Sequence, residues 1–166
     1  LRAVYTLIAA KVNLNLKNPI LLRADNFTPQ TRTPWAGTSI FPKYKSHLKD
    51  IKQQQAIGES WEFSCDPDFP SKIADIPQTL PELIKKFPKE ILSPRLAKTT
   101  PSCELLIKLL NASSPLPLQV HPADDDPKLK PEEGGKPESW LILDAEPGAG
   151  IYLGFAKPIS KSELRS

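Results

Sequence analysis

The chain has 166 residues, enough for about one domain with a core of its own, with 25% charged residues and a formal net charge of +3. Its lysines are scattered without interleaved aromatics, which argues against a nucleic-acid surface, and no apolar run reaches spanning length, which argues against a membrane helix. Nineteen prolines against seven glycines disfavour long helices and fit short strands joined by proline-pinned loops.

Residues 1–10 are apolar but too short for a span, preceded only by Arg2 and closed by Lys11, so residues 1–17 are read as an N-terminal extension and not a targeting segment. The absence of methionine, even at position 1, leads us to expect that the sequence starts inside a longer reading frame. Cys65 and Cys103 are too few for a disulfide framework and read as small buried thiols of a reducing compartment, so the cytoplasm is expected.

Residues 19–23 form a strand candidate, followed by an irregular, proline-rich stretch through Trp35 and Gly37. Residues 58–64 alternate like a half-buried strand, with Trp61 and Phe63 on one face and Ser60, Glu62 and Ser64 on the other. Glu59 then shares the aromatic face, an unusual place for a carboxylate. Thr79, Pro81 and Glu82 announce a helix start, and Leu80, Leu83, Ile84 and Phe87 recur at helical spacing up to Pro88. Residues 104–111 read as a buried strand whose only charge inside the apolar run, Lys108, needs a partner or a ligand.

Residues 116–121, the stretch from Lys136 through Ala145, and residues 151–155 are the remaining strand candidates, with an acidic loop at 124–126 and a turn at 146–150. The acidic loop lacks the glycine and terminal glutamate of a calcium-binding EF-hand and reads as solvated. Short strands joined by turns, with one helical insertion, favour an antiparallel barrel or jelly roll.

Chemistry concentrates in Gln119-Val120-His121-Pro122 and Gly135-Lys136-Pro137-Glu138. On extended strands Gln119 and His121 share a face, as do Lys136 and Glu138. If the strands face one pocket, an amide oxygen, an imidazole and a carboxylate converge, most of a ligand shell for a divalent ion such as zinc.

Those two motifs, together with Trp35-Ala36-Gly37-Thr38, Ile57-Gly58-Glu59-Ser60-Trp61-Glu62, the run from Leu106 to Ala112, and Leu143-Asp144-Ala145-Glu146-Pro147-Gly148, stand in the order seen in type I mannose-6-phosphate isomerases. The resemblance covers residues 18–166. It implies a mainly β, cupin-type jelly-roll barrel, incomplete here, and a zinc-dependent aldose-ketose isomerase that interconverts mannose 6-phosphate and fructose 6-phosphate. Carried over by position, Gln119, His121 and Glu138 match metal ligands, Lys136 a catalytic lysine, and Lys108, Glu59 and Trp35 positions at the substrate. The implied partner is a small sugar phosphate, with neither nucleic acid nor membrane; oligomeric state is not legible.

This sequence departs from the family in two respects. Pro117 stands where the family commonly has a serine two residues before the ligand glutamine. A further histidine ligand and an essential arginine come from a second half that is not present, and nothing in the pattern brings His47 to the metal. The expectation is therefore an N-terminal portion of such an isomerase with little activity alone; the alternative is a non-catalytic cupin-like module that binds a sugar or a metal.

Overall fold

The computed structural model describes residues 16–49, 55–99, 102–131 and 133–165. The apolar stretch at 1–10 lies outside them. The chain divides at Pro117 into a first unit and a second, Leu118–Ser166.

In the first unit the alternating segment folds as expected. Strand β1 (Glu59–Phe63) pairs antiparallel with β2 (Ile107–Leu110), placing Glu59 opposite Leu110, Ser60 opposite Leu109 and Trp61 opposite Lys108. The register slips between Trp61 and Phe63, a bulge that leaves Glu62 unpaired in the ladder. The other edge of β1 is covered too: the Trp61 amide donates to Asn26 O at 2.9 Å and the Thr28 amide to Glu59 O at 3.1 Å. Ser60 and Ser64 are as buried as Trp61, so the face opposite the aromatics is covered there as well, while Glu62 and Phe63 stay partly exposed. The half-buried reading of this strand is corrected accordingly.

Helix α1 (Leu80–Lys86) begins as its sequence announces. The Glu82 carboxylate turns back to accept the Thr79 amide at 2.8 Å and the Thr79 hydroxyl at 2.9 Å, satisfying an N-terminal donor that has no partner within the helix. Leu80, Leu83 and Ile84 bury one stripe against Ile73, with Phe63, Phe87, Cys65 and Cys103 packed around it. A second cluster gathers Ile40, Phe41 and Ile57 with Phe27 and Leu109 beside the π-helical turn Phe41–Lys45.

The sequence did not announce α2 (Pro88–Thr99). It is two short helices meeting at Ser93, whose φ of 81° breaks the helix just ahead of Pro94, a position at which the α region is disfavoured. Proline thus limits helix length here without abolishing helix.

Three further expectations are corrected. Residues 19–23 contribute only a single bridge, Leu22 to Ile73. The strand expected over 104–111 is confined to β2 and is not fully buried, with Ile107 about half exposed. Residues 116–121, 136–145 and 151–155 form no strand. Pro117 and Pro137 each remove a ladder donor from the first two, and a strand exists only where a neighbour accepts its hydrogen bonds. The described structure is a small antiparallel sheet with few helices.

In the second unit, turns carry the order. The Ala149 amide closes the expected turn on Glu146 O at 2.9 Å, with Gly148 at φ 85°. A 3-10 turn, Glu163–Arg165, is capped by Ser160. Among the described residues of this unit none is buried, although it carries Leu118, Val120, Trp140, Leu141, Tyr152 and Leu153. No helix among the described residues is long and apolar enough to cross a membrane.

Candidate functional site

The motif residues of the first unit interlock by main-chain contacts. The Gly37 amide donates to Asn111 O at 3.0 Å, the Ile57 amide to Gly37 O at 2.9 Å and the Asn111 amide to Gly58 O at 2.9 Å, while Asn111 Oδ1 accepts the Ser39 amide at 2.9 Å. A Cβ on Gly37 would lie 2.2 Å from Asn111 Oδ1, and one on Gly58 would lie 2.4 Å from Thr33 Cβ. Glycine at both positions is therefore a packing requirement. Trp35 is buried at one end of this arrangement, its carbonyl accepting the Ser113 amide at 2.9 Å.

The two charges that stood out in sequence meet on one face of the sheet. Lys108 Nζ donates to Glu59 Oε1 at 2.9 Å, and Trp61 Nε1 donates to Glu59 Oε2 at 2.8 Å, so each carboxylate oxygen has its own donor. Their side chains are 19% and 10% exposed, in that order. A carboxylate and an ammonium this enclosed persist only as a pair. A second pair that the sequence reading missed involves Glu62: the buried Lys45 ammonium donates to its Oε2 at 2.6 Å and the Ser60 hydroxyl to its Oε1 at 2.6 Å. The signal available was a lysine on the aromatic turn 41–45, but nothing in spacing links it to Glu62.

Arg32 lies over the rings of Trp61 and Phe69, its guanidinium carbon 5.3 and 4.9 Å from their centroids. This stacking closes the aromatic side of β1.

In the second unit, His121 and Glu138 come together across 17 residues of sequence, with Nε2 2.5 Å from Oε2. An ionised carboxylate offers only acceptors, and an imidazole can pair with it through a ring N–H. Two backbone links bring the segments together: the Lys136 amide donates to Pro122 O at 3.2 Å, and the Gly135 amide donates to Asp124 Oδ1 at 2.8 Å. Gly135 approaches so closely that an added Cβ would lie 2.7 Å from the Asp124 nitrogen and 2.9 Å from the Ala123 carbonyl carbon. Asp124, read from sequence as part of a solvated loop, is a structural acceptor. Gln119 and Lys136 are exposed.

The donor chemistry of this pair fits a zinc ion, since an imidazole nitrogen and a carboxylate oxygen converge on one point from separate segments. Among the described residues no group of three or more His, Cys, Asp or Glu side chains gathers, so further donors must be of another type, as Gln119 is, or come from elsewhere.

Comparison with known proteins matches residues 31–146, well over half of the chain, to a family model described as phosphomannose isomerase type I, catalytic domain. All seven site residues named from the sequence fall within that span. A probable mannose-6-phosphate isomerase of Bacillus subtilis (strain 168), GmuF, is 35% identical over 125 residues, covering 72% of this chain and 37% of its own. Crystal structures of two single-site mutants of phosphomannose isomerase from Salmonella typhimurium align with TM-scores of 0.48 and 0.47 at 24% and 23% identity, each covering 63% of this chain and 25% of theirs. The chain thus spans a little over a third of the length of the Bacillus relative.

Proposed function

This chain belongs to the type I phosphomannose isomerase family, and from that premise we propose that it carries part of the active site of a mannose-6-phosphate isomerase. The proposed reaction interconverts mannose 6-phosphate and fructose 6-phosphate by moving a proton between C1 and C2 through an enediol. The observation that carries this reading is the meeting of His121 and Glu138 inside the matched span.

In this proposal Gln119, His121 and Glu138 hold one zinc ion. When bound, the ion supplies a Lewis acid that orients the sugar and steadies negative charge on its oxygens. For His121 to serve as a ligand, Nε2 must offer its lone pair, which requires the neutral ring with its proton on Nδ1. Lys136, two residues before Glu138, supplies a cation that stabilises the enediolate or assists the proton transfer. By the family resemblance Lys108, Glu59 and Trp35 take substrate-side positions, Lys108 and Glu59 as an already neutralised pair. The general base is not assigned.

The complete fold proposed is a cupin-type jelly roll, of which residues 18–166 are the N-terminal portion. Exposed apolar residues such as Leu118, Leu141 and Leu153 would then lie in strands with partners. The proposed setting is the cytoplasm, and the partner a small sugar phosphate.

Zinc content and isomerase turnover, measured together, test this. The 166-residue chain should take up one zinc with little turnover alone, and His121→Ala should abolish uptake here and turnover in any longer natural form. A wild-type chain that takes up no zinc, or undiminished turnover in the mutant, overturns the reading.

A further inference from the structure

The pair His121 and Glu138 sits on two loops without a strand ladder and without a buried residue near it, so something other than a core must fix their separation. Between residues 121–124 and 135–138 the described polar links, apart from the pair itself, are the Lys136 amide to Pro122 O at 3.2 Å and the Gly135 amide to Asp124 Oδ1 at 2.8 Å. The first is near the long end of the hydrogen-bond range; the second is short and is made to a carboxylate, which strengthens it. It can form only because position 135 has no side chain, since a Cβ there would overlap Ala123 and Asp124.

We propose that Asp124 is a positioning residue: by accepting the Gly135 amide it latches the two loops and keeps His121 and Glu138 in reach of one another. This inference rests on the isomerase reading for its metal, but the latch itself is a property of the apo chain. What the latch requires of Asp124 is an acceptor oxygen, which its charge strengthens and an amide oxygen can replace in weaker form. Its neighbours do not share the role: Asp126 uses Oδ1 to accept the Lys128 amide at 2.9 Å, and the described link to Gly135 is made by Asp124 and not by Asp125.

Two readouts on the full chain test the latch. Nitrogen-15 NMR of the His121 ring reports the hydrogen bond to Glu138 without any metal, and titration with cobalt(II) alone reports affinity by its visible absorption. Asp124→Ala should lose the ring's hydrogen-bond signature and weaken cobalt by about tenfold or more, the usual effect of removing a group that orients ligands. Asp124→Asn keeps Oδ1 as an acceptor and should restore both. The Trp61 indole N–H resonance, in the other unit, serves as the check that each variant is folded.

Retention of the ring signature in Asp124→Ala overturns the latch, as does failure of Asp124→Asn to rescue it. A wild-type chain that shows the ring signature, loses it in Asp124→Ala and binds no cobalt supports the latch and defeats the metal reading, so the two failures are separable.

Discussion

Replacing Glu59 by Gln keeps the side chain's shape and removes one negative charge at the centre of the first unit. The carboxylate receives two donors, Lys108 Nζ at 2.9 Å and Trp61 Nε1 at 2.8 Å, one on each oxygen. An amide has one acceptor and one donor, so in either orientation its NH2 must face an ammonium or an indole N–H. At least one hydrogen bond is lost, and it is the charged one if the amide oxygen turns to Trp61. A hydrogen bond to a charged group contributes about 1.5–3 kcal/mol, and breaking a fully buried pair costs about 3–5 kcal/mol. Lys108 keeps 19% of its side chain exposed, so the lower part of that range applies: about 2–3 kcal/mol for Glu59→Gln. Lys108→Met should cost a similar amount by stranding the carboxylate. The double variant should cost clearly less than the two together, because the introduced amide can then give its oxygen to Trp61 while its NH2 faces no cation. Urea unfolding followed by tryptophan fluorescence measures all three. Additive single costs, or a Glu59→Gln cost below about 0.5 kcal/mol, would refute a buried, coupled pair.

Three other outcomes follow from the geometry. The Thr79 amide and hydroxyl hold Glu82 below the usual carboxylate range, so this contribution to α1 is present above the unfolded value and disappears as pH falls through the lower folded one; Glu82→Gln should flatten that acid limb of the helical circular-dichroism signal. Burial pushes the Cys65 thiol up despite the nearby Cys103 amide, so Cys65 should react with a disulfide reagent at near-neutral pH more slowly than the same thiol in urea, and equal rates would contradict its packed position. Gly37→Ala should cost about 1–3 kcal/mol, because its Cβ displaces the Asn111 side chain from the Ser39 amide; Asn111→Ala in the same background should show a strongly non-additive cost.

Local signals were readable where one segment contains its own cause. The start of α1 needs only Thr79, Pro81 and Glu82, and β1 needs only its alternation, so both were visible in sequence. Glu59 and Lys108 were visible as charges out of place, although not as each other's partners, because a separation of 49 positions carries no pairing signal. Lys45 with Glu62, and Asp124 with Gly135, were missed for the same reason. The strands expected at 116–121, 136–145 and 151–155 failed differently. Their apolar content records an environment in which those side chains are buried, and among the described residues no strand or core supplies it. Periodicity reports what a segment requires, whereas hydrogen-bonded pairing depends on who is present to answer. At the metal pair, residue types were legible and their approach was not, since that depends on a glycine tolerating contact with a backbone 11 residues earlier.

Asn111 has a kinetic consequence. Its links to Ser39, and the Ser113 hydroxyl's link to Trp35 O, join residues 72 and 78 positions apart, so the entropy of closing a very long loop is lost before either bond is gained. During synthesis the amino-terminal segment around Trp35 cannot settle until Ser113 has left the ribosome. The two segments can be joined only once both are available, and the way Asn111→Ala divides its cost between slower folding and faster unfolding reports how early that contact forms.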